Sequence, residues 1–431
     1  AYNNMGNALK EQNKLEEAIE AYNKALAIKP DYAEAWSNGA EALEKWNKLE
    51  KLEIWLEKAF RAFEVVPSDI TFLKSKLQWR NKNKEEASKL ISNIEFETIT
   101  DIRKQDYLNL KAKCFEASKD FDEAYDCFFK SNSLAEKSKD YMRHNPKIYF
   151  QTLRDELNKL KSRPLQTPKI HSIEKTDFSP VFLVGFPRSG TTLLDTILRS
   201  HSKIDVVEEQ PAVATAKTFL QNNGYENLAS NIVPPELIAE AKKIYRLEFD
   251  KHIESPNVAS VYIDKLPLNI LQVPLIEQLY PQAKFILALR HPLDTILSCW
   301  MQNFKLNAAM ANMVDLDRIV EFYCIAMETF KICQDEYNLS VHKIRYEDLL
   351  EDLGGETSSL RKFLDLEWEP QMENYIDTAQ KRGRIATPSY SQVVQPIYKD
   401  AKYRWLKYQK YLNKYLNQVD PWINEFEYCK N

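Results

Sequence analysis

A chain of 431 residues is too long for one ordinary core, so two domains are the starting expectation, and 44% hydrophobic with 28% charged residues is a globular composition. The formal net charge of −4 argues against a general nucleic-acid binder, and no apolar run approaches the roughly 20 residues of a membrane span. Six scattered cysteines, with no CxxC pair and no zinc spacing, read as reduced thiols of a cytoplasmic protein rather than a disulfide framework or a metal site.

The first 180 residues hold only Gly6 and Gly39 and read as helix after helix. They also repeat. "AYNNMGNALKEQNKLEEAIEAYNKALAIKPDY" is answered by "AWSNGAEALEKWNKLEKLEIWLEKAF", pairing Ala1/Ala35, Tyr2/Trp36, Ala8/Ala42, Leu9/Leu43, Leu15/Leu49 and Ala25/Ala59 at an offset of 34. Small residues such as Ala8 and Ala18 would let two antiparallel helices pack closely, while Tyr22 and Leu26 fill the next layer. This period, with its early aromatic and Pro30 at the end, resembles the tetratricopeptide repeat. "NKNKEEASKL" at 81–90 and the stretch 107–135 read as weaker copies; an irregular helical bundle is the plainer alternative. The expectation is an all-α repeat domain over 1–160, whose concave face would recruit a macromolecular acceptor or partner. Residues 161–179, "KSRPLQTPKIHSIEKTDFS", carry prolines and little apolar periodicity and read as a linker.

From 180 to 431 the pattern changes to strands alternating with helices. "VFLVGF", "SVYIDKL", "KFILALR" and "SVHKIRY" read as strands, and helices begin at "TTLLDTILRS", "LNILQVPLIEQLY", "PLDTILSCWMQNF" and near "EDLLEDLGG". That alternation predicts an α/β domain, a parallel sheet flanked by helices with ligands at the carboxyl ends of its strands. The first strand runs into "VFLVGFPRSGTT", residues 181–192, which has almost the spacing of a nucleotide P-loop, G-x-x-x-x-G-K-[ST]. Thr191 replaces the lysine that serves β- and γ-phosphates, and Arg188 sits inside the loop. Backbone N–H groups of Ser189, Gly190, Thr191 and Thr192 would still cradle an anion. A nucleotide with only a 5′ group to hold, such as an adenosine 5′-phosphosulfate, would not need the lysine.

"FPRSGTTLLDTILRSH" closely resembles the 5′-phosphosulfate loop of sulfotransferases that use 3′-phosphoadenosine 5′-phosphosulfate (PAPS), and "ALRHPLDTILSCW" resembles their 3′-phosphate motif. The resemblance spans about residues 178–410, with the tyrosylprotein branch nearest, and implies a P-loop-like sulfotransferase fold that releases PAP and needs no metal. It implies that Arg188 with Ser189, Gly190, Thr191 and Thr192 holds the 5′ end, and that Arg290 and Ser298 hold the 3′-phosphate. Tyr346 in "RYEDLL" is then expected near the adenine. Glu209 in "DVVEEQP" would be the general base, with its neighbour Glu208 the alternative. Lys265 in "YIDKLPLNI" and Ser389 in "TPSYSQVVQPIYKDAKYRW" would stabilise the departing oxygen, and Arg404 stands where the family usually has lysine. Gln302 occupies a position where the family has a basic residue.

The implied reaction is sulfuryl transfer to a hydroxyl of a macromolecular acceptor. A protein tyrosine is the first expectation. A carbohydrate hydroxyl is the alternative, because Pro211 and Thr215 replace the arginines that tyrosylprotein enzymes use for acidic flanks, leaving Lys217 as the basic residue of that helix. A repeat scaffold carrying an inactive nucleotide fold is the non-enzymatic rival. His201 reads as a capping or packing histidine rather than a base, and His291 as a loop residue. Oligomeric state and pathway are left open by the sequence.

Overall fold

The computed structural model describes all residues except 163–177, 226–232, 256–257, 282, 373, 382–401 and 430–431. The chain forms two compact units, Ala1–Ser138 and Lys139–Asn431.

The first unit is built from four helical hairpins: Tyr2–Glu11 with Leu15–Ile28, Ala33–Lys45 with Leu49–Arg61, Ser68–Arg80 with Lys84–Ser92, and Lys104–Ala117 with Phe121–Glu136. The first helix of each hairpin stops the same way. Asn13, Asn47, Lys82 and Lys119 adopt φ of 63°, 56°, 64° and 65°. The next amide then reaches back five residues, Lys14 to Leu9, Lys48 to Leu43, Asn83 to Gln78 and Asp120 to Phe115, at 2.9–3.0 Å. This is the Schellman closure, which satisfies carbonyls that a helix end would otherwise leave open. Asparagine tolerates the left-handed turn better than lysine, which is one reason why the third and fourth copies look weaker in sequence. Close crossing explains the two glycines. A Cβ on Gly6 would lie 2.5 Å from the Tyr22 ring, and one on Gly39 2.2 Å from the Trp55 ring.

The second unit carries a five-stranded sheet: β1 (Val181–Gly185), β2 (Ile204–Glu208), β3 (Val261–Lys265), β4 (Lys284–Leu289) and β5 (Ser340–Arg345). The order is β2-β3-β1-β4-β5, and every neighbouring pair is parallel. β2 is a strand that pattern reading passes over. Its five residues, "IDVVE", form an edge and carry acids at two positions, so the apolar signal is short. All five strands end on one side, where their loops gather.

The two units divide at Ser138, ahead of the expected boundary at 160. The helix Pro146–Ser162 buries Phe150, Leu153, Leu157 and Leu160, and its partners lie in the second unit. Phe150 meets Phe322 edge-on at 6.1 Å, Arg154 forks onto Glu321 at 2.5 and 2.7 Å, and Lys161 pairs with Glu328 at 2.7 Å. Most of the expected linker, 163–177, lies outside the described residues.

Candidate active site

Each strand delivers one component of the site at its carboxyl end. After β1 the chain makes the loop Gly185–Gly190 and enters the helix Thr191–Arg199. A Cβ at Gly185 would lie 2.6 Å from the Ala288 carbonyl oxygen on β4, so only glycine lets the loop start there. Gly190 has φ of 98° and sits under Tyr346 Cδ2, which a Cβ would meet at 2.8 Å. Arg188 holds φ of 70°, a conformation costly for a side-chain-bearing residue and common where function over-determines the backbone. Ser189 Oγ is buried with no hydrogen-bond partner among the described residues, and Thr191 and Thr192 are buried at the helix N-terminus. A buried hydroxyl, glycine-permitted close approach and a helix N-terminus together fit a bound anion.

The second motif meets the first directly. Arg290 follows β4, and Ser298 lies on the helix Pro292–Trp300. Arg188 Nε donates to Ser298 Oγ at 3.1 Å, Arg290 Nη1 donates to the Arg188 carbonyl at 3.4 Å, and Cys299 Sγ donates to the Pro187 carbonyl at 3.1 Å. The Arg290 guanidinium lies 5.2 Å from the centre of the Tyr346 ring, which follows β5. Desolvation brings the Arg188 pKa down to about 10. The Cys299 thiol opposes that shift, while nearby Arg290 and Arg404 add to it. Three guanidiniums converge here, an arrangement a polyanionic ligand would stabilise.

The acid–base group is set by β2 and β3. Glu208 and Lys265 are register partners, so their side chains share a face of the sheet. Lys265 is fully buried and donates through Nζ to Glu208 Oε1 at 3.0 Å and to Glu209 Oε1 at 2.9 Å. Burial alone would lower the ammonium pKa, but Asp195, Glu209 and Glu208 around it reverse that and hold it above its ordinary value. The carboxylates differ: the Glu208 side chain is 7% exposed and that of Glu209 38%. Glu209 has φ of 52°, and its N–H donates to the Lys265 carbonyl at 2.8 Å, which turns the side chain out at the strand end. Behind Lys265, buried Asp264 accepts from Tyr245 Oη at 3.0 Å and Asn269 Nδ2 at 3.2 Å, with its pKa pushed up to about 7 by burial.

Arg404 opens the turn Arg404–Tyr408, close enough to Arg188 to act on its charge. Ser389 falls outside the described residues. Among the described residues no cluster of His, Cys, Asp and Glu could hold a metal, and no helix is long and apolar enough to cross a membrane. His201 is spent on backbone: Lys203 N–H donates to Nδ1 at 3.1 Å, leaving Nε2 to donate to the Glu367 carbonyl at 2.9 Å. His291 is more than a loop residue. It is buried and stacked on Trp405 at 5.2 Å and 10°, with its pKa pushed down to about 4 by burial. Pattern reading had no signal for this stack, because Trp405 stands more than a hundred residues downstream.

Comparison with known proteins agrees with the motifs. An uncharacterized protein of Aquifex aeolicus (strain VF5) is 26% identical over 73% of this chain, which spans 41% of that protein's length. Protein-tyrosine sulfotransferase 1 of Danio rerio is 26% identical over 56% of this chain and 69% of its own. The sulfotransferase domain from the Synechococcus PCC 7002 olefin synthase aligns with 57% of this chain and 91% of its own, at 18% identity and a TM-score of 0.35. Residues 180–370 match the sulfotransferase family and residues 6–48 the TPR repeat. The chain therefore carries a sulfotransferase-family domain behind a tetratricopeptide-repeat region.

Proposed function

We propose that the second unit transfers a sulfuryl group from PAPS to a hydroxyl of a macromolecular acceptor. The observation that carries this is the contact between the two loops. Arg188, on the loop after β1, hydrogen-bonds Ser298, on the helix after β4, and Arg290 returns to the Arg188 carbonyl. One continuous basic surface thus serves two separate anionic groups of one nucleotide, and it lacks the lysine a triphosphate would need.

PAPS would supply an activated sulfuryl group with PAP as leaving group. The chain's own residues do the rest. Arg188 and the amides of Ser189 to Thr192 bind and orient the 5′ end, Arg290 and Ser298 hold the 3′-phosphate, Arg404 adds a third cation against the nucleotide, and Tyr346 lies beside the adenine. Glu209 is the better base than Glu208, because its side chain is open to solvent while that of Glu208 is enclosed. In that role it takes the hydroxyl proton at its carboxylate, a contribution of about 10²–10⁴-fold. Lys265 is a fixed cation at the strand end, held charged by its acidic neighbours; in this reading it offsets charge on the oxygen that departs. Ser389 is assigned the same task from its place in the motif.

The protein-tyrosine sulfotransferase relatives support a tyrosine acceptor, with the repeats recruiting the protein that bears it. One observation favours a sugar hydroxyl as the second reading. The helix Ala212–Asn222 beside Glu209 offers Lys217 as its basic residue, and Lys217 is paired with Glu156 at 3.4 Å. The test is transfer of radiolabelled sulfate from PAPS to panels of tyrosine peptides and glycans. Label on one class names the acceptor, and no transfer to any panel by a protein that binds PAP favours the inactive scaffold.

A further inference from the structure

Asp294 stands in the first turn of the helix Pro292–Trp300, where an acid ordinarily does no more than face the helix dipole. Here it is 1% exposed, and both its oxygens reach another segment. Oδ2 accepts the Tyr403 N–H at 2.7 Å and Oδ1 accepts the Trp405 N–H at 2.8 Å. These are the two amides on either side of Arg404. Tyr403 holds φ of 54°, so the turn is not one this backbone would choose unaided. The His291 ring stacked on Trp405 presses the same segment onto the same helix start.

We propose that Asp294 is the positioning residue for Arg404, gripping the amides that flank it so that the third guanidinium is fixed to the helix that follows Arg290. This rests on the nucleotide assignment above. A carboxylate suits the task because both positions need an acceptor. An amide, or a protonated acid, would turn a donor against one of the two N–H groups. The charged and titratable groups facing Asp294 are Arg290 from the turn before its helix and Tyr346 and Glu347 from the helix Tyr346–Glu351, beside the two amides it holds. Glu347 is engaged with the His291 N–H at 3.0 Å and Tyr428 Oη at 2.9 Å. Burial pushes the Asp294 pKa up to about 6, against the pull of Arg290 and the two amides. The grip should therefore be complete above that pH and fail as the pH falls through it.

The experiment is calorimetric titration of PAP into the full-length protein, Asp294→Asn, Arg404→Ala and the double variant. Asp294→Asn should weaken PAP about tenfold, the size of one charge-assisted contact. In the Arg404→Ala background the same change should alter affinity by less than about twofold, because the effect runs through Arg404. Fully additive losses would overturn the proposal. The ratio of wild-type to Asp294→Asn affinity should narrow between about pH 7.5 and pH 5 as the wild-type acid protonates, and titration of the ligand's own phosphates cancels in that ratio. A constant ratio would count against the grip. Asp294→Glu, which keeps the charge and shifts the oxygens by one methylene, gives a second cycle if the asparagine variant does not fold. Hydrogen exchange at Tyr403 and Trp405 judges the grip without ligand: the amides should lose protection in Asp294→Asn, and unchanged protection would refute it. Failure of the wild-type protein to bind PAP would instead remove the nucleotide assignment.

Discussion

Replacing Lys265 by methionine keeps the apolar stem and removes the ammonium that two carboxylates share. Glu209 is 38% exposed and can turn to water, so its loss is small. Glu208 is 7% exposed and pinned in register opposite Lys265, so its carboxylate stays buried without that countercharge. Removing one partner of a buried ion pair costs about 3–5 kcal/mol. For a unit of this size that lowers the melting temperature on the order of 10 °C. The second half of the prediction is the informative one: adding Glu208→Gln to Lys265→Met should recover most of the loss, because the enclosed charge is gone. Melting temperature and urea midpoint of wild type, both single variants and the double variant are the assay. A shift for Lys265→Met below about 2 °C, or a double variant no more stable than Lys265→Met, would refute the reasoning.

Glu209→Gln should cut turnover by about 10²-fold or more with PAP affinity little changed; if Glu208→Gln does this and Glu209→Gln does not, the base is Glu208. Tyrosine peptides with acidic and neutral flanks should have similar kcat/KM at low salt, since Lys217 is already paired and Glu208 and Glu209 stand nearby. An acidic preference of roughly a hundredfold, the yield of two charge-assisted contacts, would sink this expectation. In the repeats, Gly39→Ala should destabilise the first unit by about 1–3 kcal/mol, because the new methyl lands on the Trp55 ring; an unchanged denaturation midpoint for that unit would show that the ring moves aside freely.

The parts of this molecule that could be read from sequence are those whose signal is local. The loop 185–190 and the helix behind it lie within fifteen residues, and Arg290 and Ser298 within nine, so each motif is visible without knowing what it packs against. The 34-residue spacing of the first two hairpins is equally local, whereas the third and fourth have lysine at the left-handed position, give a weaker sequence signal, and share the repeated 2.9–3.0 Å closure. What sequence could not show depends on register and distance. Lys265 could have been a surface lysine. It is buried because β2 pairs with β3, and β2 is a five-residue edge strand with little apolar signal. Asp294 could have been a surface ion-pair partner. Its task is defined by amides 109 and 111 positions downstream. The helix Pro146–Ser162 reads as one more helix of the repeat region, and contacts such as those with Glu321, Phe322 and Glu328 assign it to the second unit.

The measurement that bears most directly on the central claim is calorimetric binding of three adenine nucleotides to the full-length protein: PAP, 5′-AMP and ATP with magnesium. If Arg188 and the loop amides serve a 5′ group while Arg290 and Ser298 serve a 3′-phosphate, PAP should bind at least about tenfold more tightly than 5′-AMP, since a charge-assisted contact is worth about 1.5–3 kcal/mol. ATP with magnesium should do no better than 5′-AMP, because the loop carries Thr191 where a triphosphate site needs lysine. Binding of ATP with magnesium as tight as that of PAP, or indifference to the 3′-phosphate, would contradict the account.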